Sequence, residues 1–301
     1  MSVLIVGTTA LDSINTPKAK NPRLLGGSAS HAAVAASFFA PTRLVGIVGG
    51  DFPPSHVKLY ASRGICLKGL ERVKDGQTFH WHGEYEVNMN NRRTLNTVLG
   101  VIENWSPKLP GDYEKTPYVL LANISPSIQL TVLDQLSKPK FVIADTMDLW
   151  LNVALSDLLK LLKRIDCLVL NDSEARQLTE DDNVVSALAK IHKLGPKYVI
   201  IKKGEHGSIL SGPSGMFVAP AYPLQKVVDP TGAGDSFVGA LLGYVASQKG
   251  GNIEKHLRKA MIHGAVVASF CCEGFGLVRT VKATKQHIRD RVKHLEKIAR
   301  F

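Results

Sequence analysis

The chain is poor in cysteine and has no long apolar run. Its 301 residues include four cysteines, Cys66, Cys167, Cys271 and Cys272, with no CxxC spacing and no histidine pattern beside them. That excludes a zinc-finger or disulfide framework. Cys271 and Cys272 read as buried small residues, and a reducing, cytoplasmic location is expected. No apolar run approaches the ~18–20 residues that span a bilayer, so no membrane association is expected. The opening Met1–Gly7 has no basic leader and turns polar at Thr8, so it reads as a first strand and not a signal peptide. The net charge of +11 would suit nucleic acid, but no recognised motif or aromatic–basic interleaving accompanies it. The cations are spread along the chain. The densest run, Lys282 to Arg300, interleaves Ile288, Val292, Leu295 and Ile298 at helical spacing, which predicts an amphipathic helix with a solvated basic face.

The chain does have a distinctive stretch from Asp229 to Gly243, DPTGAGDSFVGALLG. Small residues and a proline give way to an apolar segment, which predicts a tight loop feeding a buried helix. A helix start offers unpaired N–H groups and a positive dipole end, and glycines let an anion approach them. A carboxylate at Asp235 would repel that anion unless it takes a proton from an attacking hydroxyl. The pattern points to phosphoryl transfer to an alcohol. The plain alternative is an N-capping Asp on a core helix.

Elsewhere, apolar runs of about four residues alternate with helical stretches. Val3–Val6, Arg43–Val48, Val119–Ala122, Phe141–Ala144, Cys167–Leu170 and Val199–Ile201 read as buried parallel strands. Helices are predicted at 56–63, 128–136, 151–164, 184–193 and 255–270, and the segment from Gly64 reads as an excursion. Polar residues fall just beyond strand ends, where α/β sheets bind ligands. Asp12 follows the first strand, as a ligand-binding acid or a turn cap. Asp145 follows another. Asn171-Asp-Ser-Glu174 follows a third and also fits a helix capping box. Gly26 and Gly27 precede a small-residue helix, implying close approach to a ligand or to a neighbouring element. Gly204 and Gly207 mark a turn between two strands.

Residues 76–99 alternate with period two. Phe79, Trp81, Tyr85, Val87 and Met89 lie on one face, with a turn at Asn90-Asn91 and a second strand from Arg92 to Val98. His80 and His82 alternate as metal ligands would, yet lack a third partner and read as exposed strand residues. With the proline-broken excursion near 13–24, this hairpin predicts a small separate sheet. No composition break follows residue 100, so residues 1–301 are read as one α/β body with a lid formed by about 13–24 and 76–99.

The 229–243 stretch resembles the second signature of the ribokinase-like (PfkB) carbohydrate kinase family. GGSASH at 26–31 resembles its first, GGxxxN, except that His31 stands at the Asn position. The resemblance runs from Val3 to about Val292. It implies a ribokinase-like fold, a central mainly parallel sheet flanked by helices with a β-sheet lid. It implies ATP-dependent phosphorylation of a hydroxyl on a sugar or sugar-like molecule, with a nucleoside as the alternative acceptor. Asp235 would then be the general base, with the amides of Gly232, Ala233 and Gly234 stabilising the transferring group. Asp12, Gly26, Gly27 and His31 would hold the acceptor, unless His31 is simply packed at the helix start. Asn171 and Glu174 would organise Mg2+ and phosphates, Glu174 through water. Lys202, Gly204, Gly207, Thr231 and Gly264 would line the nucleotide. The resemblance also implies a monovalent cation such as K+ on backbone carbonyls near Asp229, and a homodimer through the lid.

Overall fold

Runs that are apolar on both faces form the strands of a large sheet, because helices cover both sides. The computed structural model describes residues 1–89 and 91–300. Among them are thirteen strands: β1 (Val3–Val6), β2 (Ala10–Thr16), β3 (Ala19–Gly26), β4 (Thr42–Gly49), β5 (Cys66–Val73), β6 (His80–Tyr85), β7 (Arg92–Val98), β8 (Tyr118–Leu121), β9 (Phe141–Asp145), β10 (Cys167–Asn171), β11 (Tyr198–Lys202), β12 (Ser208–Gly212) and β13 (Gly215–Ala219). Nine form one sheet in the order β13-β12-β11-β10-β9-β8-β1-β4-β5. Pairing is parallel from β11 to β5, and β12 and β13 turn back antiparallel at one edge. Val3 and Ile5 point into one hydrophobic cluster, Leu4 and Val6 into another, so the sheet divides two core layers. Strand order runs outward from β1 in both directions. Such a switch point opens a crevice at the carboxyl ends of the strands.

The other four strands form a small sheet, ordered β3-β2-β6-β7. Its first hairpin begins at Ala10, earlier than the 13–24 expected, and so carries Asp12 within it. The acid Asp51, in the turn after β4, anchors this sheet. Its carboxylate accepts from Thr78 N at 2.8 Å and Thr78 Oγ1 at 2.6 Å, and from Arg23 Nη2 at 2.7 Å.

Three local expectations are corrected. The segment after Gly64 is an edge strand, β5, parallel to β4. Its pattern was obscured by a register shift between Arg43 and Val45 and by alternating charge on the exposed edge. The single helix expected over 151–164 is two, Asp148–Val153 and Leu155–Leu162, broken where Ala154 adopts φ −142° and ψ 31°. The apolar face expected to continue through Val87 and Met89 stops at Tyr85. Val87 is 87% exposed, and Met89 turns with φ 58°. Of the expected Asn90-Asn91 turn, Asn90 lies outside the described residues. No helix among them is long and apolar enough to cross a membrane. The basic C-terminal helix, Lys285–Ile298, buries Ile288 and Leu295 and half-buries Val292, but Ile298, expected on the same face, is exposed in its last turn.

Two helices bring the crevice together. The Ser28–Ala36 helix is buried along its whole length and packs on the Ala233–Ser247 helix. The contact is backbone to backbone: a Cβ added at Gly239 would lie 2.2 Å from Ala32 O. Helix propensity favours alanine over glycine by about 1 kcal/mol. Overpacking against backbone costs about 1–3 kcal/mol, and the helices cannot give way without moving the crevice. Gly239→Ala is therefore expected to lower the urea midpoint. Gly111→Ala, where a Cβ meets open space, should leave it unchanged.

Candidate active site

The crevice is built where strand ends meet two helix starts. Asp12 leaves β2 buried at 5% exposure. Gly26 makes room for it, since a Cβ there would lie 1.9 Å from Asp12 Oδ2. Gly27, at φ 91°, donates its N–H to the same oxygen at 3.3 Å and starts the Ser28–Ala36 helix. The double glycine thus seats an acid. Asp12 Oδ1 is buried with no partner among the described residues. Burial pushes the Asp12 carboxyl up to about 7, with Asp235 and Asp229 adding repulsion and the Gly27 N–H opposing.

His31 lies on the next turn of that helix, 1% exposed. Its ring fills the space beneath Gly232, where a Cβ would lie 2.3 Å from Nδ1. Gly232 also adopts φ 77°, so two independent constraints require glycine there. His31 Nδ1 stands 3.7 Å from Cys271 Sγ, and that thiol donates to Thr231 O at 3.2 Å. Burial lowers the imidazole to about 4, so it is neutral, and its Nε2 is buried without a partner among the described residues.

The turn itself is held by Asp229. One carboxylate oxygen accepts from Thr231 N at 2.9 Å, the other from Gly276 N at 3.3 Å. Of the three amides expected to face an anion, Ala233 N–H is committed to Pro230 O at 3.1 Å. Gly232 and Gly234 N–H have no backbone acceptor among the described residues, and they sit at the start of a 15-residue helix. Asp235 lies in its first turn. Burial raises its pKa, while Lys202 and Arg92 oppose the rise.

Three adjacent strands supply the opposite wall. Lys202 ends β11, and its Nζ stands 3.1 and 3.2 Å from the two oxygens of Asp145 at the end of β9. A Cβ built on Gly234 would lie 3.1 Å from the same Nζ, so the ammonium faces the turn. Burial would discharge Lys202, but Asp145, Glu174 and Asp235 together raise its pKa and keep it charged. Between these strands, β10 ends in Asn171. Asn171 Oδ1 accepts from Glu174 N at 2.8 Å, and Glu174 Oε2 accepts from Asn171 N at 2.7 Å. The capping box is real, and it also sets Glu174, only 5% exposed, at the crevice wall. Burial lifts Glu174 to about 7 against the pull of Lys202.

The lid meets the turn directly: Thr231 Oγ1 donates to Tyr85 OH at 3.0 Å. Phe79 packs against the core instead. The Trp81 ring lies along its own strand over Gly83, with Nε1 donating to Thr94 Oγ1 at 3.2 Å. His80 Nε2 shares a hydrogen bond with Ser13 Oγ at 2.9 Å. No group of three His, Cys, Asp or Glu side chains among the described residues is placed to hold a metal unaided. Gly204 and Gly207, at φ 54° and 81°, form the β11–β12 turn. Gly264 is a packing residue, since a Cβ there would lie 2.8 Å from the Phe237 ring and 2.9 Å from Phe237 O. Sequence reasoning missed the Lys202–Asp145 pair, the Tyr85 contact and the Cys271 thiol. Asp145 stood out only as a polar strand end, and the other two carry no local pattern.

Comparison with known proteins gives the family and the fold. A model of the pfkB family carbohydrate kinases matches residues 11–283. The cytidine kinase of Thermococcus kodakarensis is 28% identical over 256 residues, covering 81% of this chain and 88% of that protein. The nucleoside kinase of Methanocaldococcus jannaschii superposes with a TM-score of 0.79 at 21% identity, over 97% of this chain and 98% of that one. The ribokinase of Arabidopsis thaliana, solved with ribose and ATP, superposes at 0.76 with 24% identity over 97% and 98%.

Asp12 gives the site a pH signature. Its folded pKa of about 7 lies above the ordinary value of 3.8, so the folded protein holds this proton more tightly than the unfolded chain. The resulting stability is complete below pH 3.8 and is lost as pH rises through about 7. Asp12→Asn cannot ionise. It is expected to melt higher than wild type at pH 8, by on the order of 3–4 kcal/mol, with the gap closing towards pH 4. Melting curves across that range read the effect; a gap independent of pH would refute it.

Proposed function

The chain belongs to the pfkB family of carbohydrate kinases, phosphotransferases that act on hydroxyl groups, and on that premise we propose how its own residues divide the work. The acceptor hydroxyl lies between Asp12 and Asp235. Asp12 accepts a hydrogen bond from a neighbouring acceptor hydroxyl and so fixes which one faces the phosphorus. Asp235 takes the proton as that oxygen attacks. Its burial raises its basicity, and the Lys202 ammonium opposes that rise. The Gly232 and Gly234 amides, with the helix dipole, stabilise charge on the transferring group without reorganising. One observation carries this reading: the acid, the free helix-start amides and the Lys202 ammonium converge on one turn.

The phosphates of ATP would run from that turn past Lys202 towards Gly204 and Gly207. Mg2+ fits the donor set on this wall, because Glu174 is a buried oxygen donor whose raised pKa a divalent cation would relieve. Glu174 would hold it through water, with Asn171 fixing the carboxylate. When bound, the ion neutralises phosphate charge. A monovalent cation finds less. Both Asp229 carboxylate oxygens and the Thr231 carbonyl already accept hydrogen bonds, so no step is drawn through one.

A sugar or a nucleoside is the acceptor, and Trp81 keeps the nucleoside reading in view. Asp12 and Trp81 pair across β2 and β6, so the two side chains leave neighbouring positions of the lid sheet. Phe79 is in the core and Tyr85 is engaged with Thr231, so Trp81 is the lid ring left to stack on a sugar face or a base. A homodimer through the lid belongs to the same proposal, supported by the exposure of Val87 and Leu95 on its hairpin.

Asp235→Asn tests the assignment. ATP-analogue affinity should be kept while turnover falls roughly 10²–10⁴-fold, the usual scale for a positioned base. A coupled ADP assay over sugars, polyols and nucleosides measures it. Turnover near wild type would sink the role given to Asp235.

A further inference from the structure

We propose that Arg92, carried on the lid hairpin, is the residue that completes the phosphoryl-transfer site on closure, its guanidinium contacting the oxygens of the group in transfer. The proposal rests on the kinase reading above and adds a component from outside the main body of the fold.

The placement follows from strand register. In the β6–β7 hairpin Tyr85 stands directly opposite Arg92. Residues opposite one another in an antiparallel pair project from the same face. Tyr85 reaches Thr231 Oγ1 at 3.0 Å, so that face looks onto the 229–235 turn, and Arg92 looks with it. Arg93 projects from the other face. There it is bound to Glu84 at 2.8 Å, with its side chain 74% exposed. Arg92 forms no ion pair among the described residues. Two adjacent arginines on one hairpin are therefore given different tasks.

Charge places the guanidinium further. Arg92 favours the ionised forms of both Asp235 and Glu174, which stand on opposite walls of the crevice. Both acids thus lie within electrostatic reach of the hairpin face that Arg92 shares with Tyr85. The crevice needs such a charge. Asp12, Asp145, Glu174, Asp229 and Asp235 line or support it, and Lys202 is already shared among three of them. A planar guanidinium donates in parallel to two phosphoryl oxygens, as an ammonium does not. Mounted on a lid, it arrives only when the acceptor is enclosed. Transfer to water from the open enzyme then lacks this stabilisation.

Arg92→Ala, Arg92→Lys and Arg93→Ala, made in the full chain, test the proposal. Calorimetry with ADP and with the imido analogue of ATP, both with Mg2+, reads ground-state contact. Steady-state kinetics with the best acceptor of the panel reads the rest. Arg92→Ala is expected to keep its melting temperature and its ADP affinity. It should lose about tenfold in affinity for the imido analogue and roughly 10²–10³-fold in kcat, with acceptor KM nearly unchanged. Arg92→Lys should recover part of kcat, and Arg93→Ala should match wild type. The proposal is overturned if Arg92→Ala keeps kcat within threefold, or loses ADP and analogue affinity equally. It is also overturned if the whole loss falls on KM for an acceptor that carries its own phosphate. A wild-type protein that binds neither nucleotide and phosphorylates nothing would refute the kinase reading as well. Normal wild-type turnover with a silent Arg92→Ala would refute the proposal alone.

Discussion

The structure turns on an excess of buried negative charge around one ammonium. Lys202 stands about 3 Å from Asp145 and is held charged by Asp145, Glu174 and Asp235 together. A cleft intended for a polyanion would not ordinarily be lined with acids, since burying unpaired carboxylates is costly. The arrangement makes sense if each acid handles a proton or a cation. Asp235 sits by the helix start, where a hydroxyl would be deprotonated. Glu174 sits where a divalent ion would be welcome. Asp12 sits apart, near pKa 7, with one oxygen unpartnered. The positive side is supplied by backbone dipoles, by Lys202 and, in the proposal above, by Arg92 on the lid.

This charge balance explains why the fold is so tightly drawn at the base of the crevice. Amides that would face an anion are useful only if the turn does not move. Asp229 clamps it from two loops, Cys271 holds its carbonyl, and the His31 ring fills the space under Gly232. The close Ala32–Gly239 approach sets the two helix starts side by side. Small residues in both helices thus bring the two helix starts together.

Much of this was legible in the sequence, and the division has physical causes. Strand ends, the double glycine and the 229–243 turn are local patterns with local reasons, so Asp12, Asn171, Glu174 and Asp235 stood out in the sequence, while the roles expected of them came from the family resemblance. What spacing cannot report is which groups meet across the chain. The pairing of Lys202 with Asp145 joins residues 57 apart, and that of Thr231 with Tyr85 joins residues 146 apart. The β5 edge strand was missed because an exposed edge need not be apolar. The missing side chain of Gly264 admits Phe237, a contact between helices that no local pattern announces.

His31 is the position where the sequence departs from its family's signature, and the structure gives the departure a mechanical meaning. An asparagine at this place would be a short polar group free to address an acceptor. The imidazole is larger, and it packs against the underside of the phosphate turn, between Gly232 and Cys271. A protonated ring would be drawn towards Asp229 and would disturb the carboxylate that clamps the turn. Burial prevents this by holding the ring neutral. His31 therefore touches the turn through its ring, and its Nε2 is buried without a partner among the described residues. The ring, Gly232 and Cys271 pack as one unit, so a change of side chain at position 31 would be felt by the turn.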